Sequence, residues 1–139
     1  MNGTALVVGG SGAIGGEICR ALSELGMDVA LTARSSTESA ENVALEVERH
    51  GNRSLILQAD LGDHETLGKV VQETVDEFGS LDCLVYAAGL LADQMWCSTV
   101  GIDKYETHLS AEAVGCFASI KYAVPHLREA SGSIVAITS

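Results

Sequence analysis

Apolar runs of strand character alternate along the chain with longer stretches in which apolar residues recur every three or four positions. Residues 4–8 read as a buried strand, followed by a glycine-rich turn at residues 9–16. Ile14, Ile18, Ala21, Leu22 and Leu25 then fall at helical spacing, and Gly26 stops that helix. Residues 29–32 are a second strand, 35–39 a polar loop, and 41–50 a helix carrying Val43, Leu45 and Val47, closed by Gly51. Residues 54–57 form the third strand, ended by Ala59 and Asp60. Asp63 is placed as an N-cap with Thr66 three residues on; Leu67, Val70, Val71, Thr74, Val75 and Phe78 make the apolar stripe, and Gly79 stops the helix. Residues 81–88 are the fourth strand, and Gly89 opens a loop. A long helix is predicted over 103–128, with Leu109, Ala113, Phe117 and Ile120 on one face and Pro125 kinking or ending it. Residues 133–137 are the fifth strand.

Near-continuous apolar strands are covered on both faces. With helices between them, this predicts a parallel sheet in a doubly wound, Rossmann-like α/β fold with right-handed crossovers. Residues 1–139 are expected to form one domain.

Composition narrows the partners. The chain has 8 Lys+Arg against 19 Asp+Glu, a net charge of −11, which argues against DNA, RNA or an anionic membrane. An apolar fraction of 47% with one proline excludes disorder. No apolar run approaches ~18–20 residues, so no membrane span is predicted. The start runs into the first strand without a basic region, and the expected location is the cytoplasm. Cys19, Cys83 and Cys116 sit in apolar surroundings and read as reduced core thiols, while Cys97 lies in a loop. His50 and His64 read as solvated, and His108 and His126 lack ligand spacing, so no metal is assigned.

The strongest chemical signal is the turn containing Gly9, Ser11, Gly12, Ala13, Ile14 and Gly15, set between a strand and a helix. A dinucleotide needs its pyrophosphate close to backbone N–H groups at a helix N-terminus, and side chains there would block the approach. At the end of the second strand a carboxylate would read the ribose 2′-OH of NAD, whereas a cation suits the 2′-phosphate of NADP. The residues present are Arg34 and Ser35, with no carboxylate, so NADP(H) is favoured over NAD(H).

Together these features resemble the short-chain dehydrogenase/reductase family over the whole chain. The family's Thr-Gly-x-x-x-Gly-Ile-Gly turn is matched from Val8 to Gly15, with Val8 for the Thr and Ala13 for the middle Gly. Its adenine-contacting aspartate is matched by Asp60, followed by Leu61. Its Asn-Asn-Ala-Gly element resembles Tyr86-Ala87-Ala88-Gly89, without the asparagine that steadies the sheet. The resemblance implies a strand order of 3-2-1-4-5, a small carbonyl or alcohol substrate, and a homo-oligomer through the helix at 103–128. It places the catalytic Ser at Ser139 and puts Glu112 where the family has an Asn that holds a proton-relay water.

The family's Tyr-x-x-x-Lys pair is absent: Tyr86, Tyr105 and Tyr122 are followed four residues later by Leu90, Leu109 and His126. A phenol with a pKa near ~10 is a poor base at neutral pH without a neighbouring Lys. The fold has further strands beyond the fifth, so residues 133–137 would be a bare apolar edge. The expectation is therefore the N-terminal, cofactor-binding part of an NADP(H)-dependent oxidoreductase, truncated after the fifth strand. Two alternatives stand beside it, a non-catalytic NADP(H)-binding module and half of a split enzyme. Asp93, Met95 and Trp96 follow Gly89 at the ligand-binding edge of such a sheet, where Trp96 either lines a pocket or packs.

Overall fold

Five strands lie side by side in one parallel sheet, β1 (Gly3–Val8), β2 (Met27–Ala33), β3 (Ser54–Gln58), β4 (Cys83–Tyr86) and β5 (Ser133–Ala136), in the order β3-β2-β1-β4-β5. The computed structural model describes residues 3–35, 38–89 and 97–137. Ser139, Asp93, Met95 and Trp96 lie outside the described residues. Helices α1 (Ala13–Glu24), α2 (Glu38–Arg49) and α3 (His64–Phe78) connect the first four strands. Between β4 and β5, α4 (Ile102–Leu109), a π-helical turn (Ser110–Val114) and α5 (Gly115–Ala130) follow one another without a break. The helix at 103–128 is thus real but interrupted, and it does not end at Pro125.

The alternation of side chains along each strand builds two cores. Leu6, Val8, Leu84 and Tyr86 meet α3 and α5 through Leu67, Val70, Val71, Ala118, Ala123 and Leu127. Val7, Val29, Leu31 and Val85 meet α1 and α2 through Cys19, Ala40, Val43 and Val47. In the register of the central strands, Leu6 pairs with Ala30 on one side and Leu84 on the other. Only these central strands are covered on both faces. Edge strand β3 leaves Ile56 37% exposed, and every residue of β5 is exposed.

Two predicted stripes are only partly turned to the core. Ile14, Ala21 and Leu25 of the first helix are exposed, and its buried residues are Gly15, Gly16, Cys19 and Ser23. Small residues let α1 lie close on the sheet; Ile18 and Leu22 pack half-buried against the same core, and Ile14 and Leu25 point outward. Leu45 is exposed on α2 for a similar reason, with Ala40, Val43, Ala44 and Val47 inward. In the long helix Leu109, Ala113 and Phe117 are exposed and Ile120 is half-buried; Ala118, Ser119, Ala123 and Leu127 face the sheet. The third helix follows its prediction: Asp63 Oδ1 accepts from the Thr66 N–H at 3.2 Å, and Gly79 ends it at φ 89°. Cys19 is buried, Cys83 and Cys116 are half-buried, and Cys97 is exposed.

Candidate functional site

At the carboxyl ends of the strands, β1 leads to β2 on one side and β4 lies on the other. The chain reverses direction there and leaves a crevice, the place where doubly wound sheets bind ligands. A cleft of about 1100 Å³ occupies it.

The glycine turn forms one wall. Gly9 has φ +85° and presses on the next loop, because a Cβ there would sit 2.7 Å from the Ala88 Cα. A Cβ on Gly15 would collide with the Gly9 carbonyl oxygen. The turn is held by Gly12 N–H donating to Gly9 O at 3.1 Å and Gly9 N–H donating to the Thr32 hydroxyl at 2.8 Å. Gly12 is the N-cap of α1 and offers no side-chain bond, and the first turn holds no acidic residue. The positive end of that helix therefore stands ready for an anion.

Gly9, Ser11, Gly12, Arg34, Asp60, Leu61, Ala87, Ala88 and Gly89 all line this cleft. Ala13, Ile14, Gly15 and Ser35 do not line it; Gly15 is buried and acts through the turn, and Ile14 is 59% exposed. Arg34 is exposed at the end of β2 and has no acidic partner among the described residues. The Asp60 Oδ1 accepts from the Gly62 N–H at 2.9 Å, which orients the carboxylate in the β3–α3 turn. In a chain of net charge −11, an anion is favoured only where local donors outweigh the field, and α1 and Arg34 supply them on one side. Asp103 and Glu106 of α4 line the same cleft.

Sequence reasoning missed several contributors. Thr32 was read only as strand, although a buried hydroxyl in an apolar run signals a local partner. Ser110 and Ala111 reach the cleft because the π turn carries them there, which no periodicity announces. His64, read as solvated, is half-buried: its Nε2–H donates to the Ser110 carbonyl at 3.1 Å, and since a carbonyl only accepts, Nε2 is the donor nitrogen. The buried Tyr86 hydroxyl donates to the Ala111 carbonyl at 3.0 Å. Burial first, then the neighbouring Cys116 and Glu112, push that phenol well above its ordinary value, so it stays a donor. The thiol of Cys19, behind the turn, is pushed up to about 12, chiefly by burial, and is inert. His50 is exposed, with its Nδ1 2.6 Å from the Ser23 hydroxyl.

Comparisons with known proteins agree with this geometry. The family model described as short chain dehydrogenase matches residues 3–139. The chain is 34% identical over 140 aligned positions to the 3-oxoacyl-[acyl-carrier-protein] reductase FabG of Staphylococcus aureus, covering 100% of this chain and 56% of that protein. A short-chain dehydrogenase/reductase from Serratia marcescens superposes with a TM-score of 0.92 at 32% identity, covering 99% of this chain and 55% of that one. A short chain dehydrogenase from Burkholderia cenocepacia, solved in complex with NADP, gives 0.90 at 33% identity, covering 96% and 54%. The chain thus spans about half the length of the relatives it matches. Sheet order, glycine turn and family model converge: the chain belongs to the short-chain dehydrogenase family of oxidoreductases.

Proposed function

We propose that residues 1–139 are the cofactor-binding domain of an NADP(H)-dependent oxidoreductase acting on a small carbonyl or alcohol. The site fits a dinucleotide: α1 opens at Gly12 beside the cleft with no side-chain cap, and it sits close under the turn because Gly15 lacks a Cβ that would collide with the Gly9 carbonyl. When bound, the cofactor supplies or accepts a hydride at a carbon bearing oxygen. The N–H groups of Gly9, Gly10, Ser11 and Gly12 are spent in holding the turn, so in this reading the pyrophosphate is held by the N–H groups of Ala13, Ile14 and Gly15, where α1 opens. Asp60 and Leu61 hold the adenine, and Ala87, Ala88 and Gly89 let the chain pass close to the far end. Ser139 holds the substrate oxygen in this reading. The proton-transferring Tyr and its Lys, absent from this sequence, belong to a further part of the protein. The packed, unpaired thiols Cys19, Cys83 and Cys116 support a cytoplasmic setting.

Arg34 carries the cofactor preference. Arg34 stands at the cleft where a carboxylate would otherwise read a ribose hydroxyl, and in this reading the hydroxyl of Ser35, next in the chain though outside the cleft lining, is a further donor. The solved relative that holds NADP supports the same preference. Arg34→Ala should weaken NADPH binding roughly 10–100-fold, the worth of one charge-assisted contact, and leave NADH binding unchanged. Fluorescence titration of both cofactors checks this, and an equal loss for the two would overturn the preference.

A second copy of the chain is the proposed partner. Ile102, Tyr105, Leu109 and Phe117 leave a line of large apolar side chains exposed along α4 and α5, with Phe117 65% exposed. A non-catalytic binding module is the second reading, favoured by Glu112 at the family's Asn position.

A further inference from the structure

The π turn between α4 and α5 is held from outside by two side chains. A π turn carries one residue more than the α-helix around it, and its carbonyls are offset from the ordinary ladder. The Gly115 N–H reaches back to Ser110 O. The same Ser110 oxygen accepts from His64 Nε2 at 3.1 Å, and the Ala111 oxygen accepts from the Tyr86 hydroxyl at 3.0 Å. His64 opens α3, directly after the Asp60 turn, and Tyr86 closes β4, directly before Ala87-Ala88-Gly89. Both loops that flank the cleft are thereby tied to one helical turn. Gly115 lets the helix come close: a Cβ there would lie 3.0 Å from both the Leu61 carbonyl oxygen and the Tyr86 hydroxyl. Within the turn, Glu112 Oε1 comes within 3.5 Å of the space a Gly89 Cβ would fill.

We propose that Tyr86 and His64 are positioning residues that clasp the Ser110–Val114 π turn and so aim Glu112 at the Gly89 end of the cleft. The inference rests on the cofactor reading above, in which that end receives the nicotinamide half. Without the clasp, the extra residue passes along the helix and Glu112 turns away by about 100°, one α-helical step. The adenosine half, gripped by Arg34 and Asp60, does not depend on it.

The experiment compares NADPH with 2′,5′-ADP, which carries the adenosine half alone, on the full chain. Tyr86→Phe keeps the packed ring and removes the hydroxyl; His64→Ala removes the second donor, and His64→Gln restores an N–H near the Nε2 position. Tyr86→Phe and His64→Ala should each weaken NADPH by roughly fivefold or more while 2′,5′-ADP binds as before, with His64→Gln recovering the loss. Amide hydrogen exchange should quicken at residues 110–118 and stay unchanged in α3. Equal losses for both ligands, or unaltered exchange at 110–118, would overturn the clasp. If the unaltered chain binds neither ligand, the cofactor reading fails, and the exchange measurement alone decides the clasp.

Discussion

Glycines in this chain do two different jobs. Gly51 has φ +85° with nothing within 4 Å of its would-be Cβ, so its role is conformational alone. Gly15 is defined by space, since the Gly9 carbonyl already fills the position a Cβ would take. Gly15→Ala must push α1 away from the turn, at about 1–3 kcal/mol of overpacking. NADPH affinity should fall by roughly tenfold or more. Gly51→Ala should cost about 1–2 kcal/mol of left-handed backbone strain and leave binding intact. Thermal melts with cofactor titration separate the two, and NADPH affinity unchanged in Gly15→Ala would mean that the cradle is not used. Thr32 belongs to the same scale: its hydroxyl spends its acceptor on Gly9 N–H, tying β2 to the turn.

Among the elements, the helices differ in how they begin. α1 starts bare at Gly12, whereas α3 starts with Asp63 taking the Thr66 hydroxyl at 2.7 Å and the Thr66 N–H at 3.2 Å. One helix leaves its N-terminus without a side-chain cap, the end that the proposed function gives to the cofactor, and the other caps it internally. The Thr66 bonds, hydroxyl first, hold the Asp63 carboxyl below the usual carboxylate range. A lowered folded value stabilises the fold above the unfolded carboxylate range and stops doing so as pH falls through the folded value. Asp63→Ala should therefore lower Tm at neutral pH, and its deficit should shrink below about pH 4. Melts across that range test it; a deficit independent of pH would assign the effect to the neutral hydrogen bond. The stripes of α1 and α5 were misread for one reason. Both helices approach the sheet closely through Gly, Ala, Ser and Cys, so small residues hold the inmost positions beside Ile18, Leu22, Ile120 and Leu127, while Ile14, Leu25, Leu109 and Phe117 are left outside.

For the molecule as a whole, that outward face becomes the question of assembly. Phe117→Lys should convert an oligomer to a monomer in light scattering with little change in Tm, because Phe117 packs into neither core cluster. An oligomer of undiminished mass would place the interface elsewhere. No helix among the described residues is long and apolar enough to cross a membrane. The strand order came from the family resemblance; the alternation of strands and helices, the glycine turn, Arg34 after β2, Asp60 after β3 and the cap at Asp63 were legible in the chain itself. Each depends on residues a few positions apart, or on a pattern that repeats with the period of its own element. Which helix face is buried, where the π turn falls, and what Tyr86 and His64 hold were settled only by packing. Tyr86 and Ala111 are 25 residues apart, and His64 and Ser110 are 46 apart. Local propensity carries no record of partners at that distance, whereas the close seating of α5 at Gly115 brings them together.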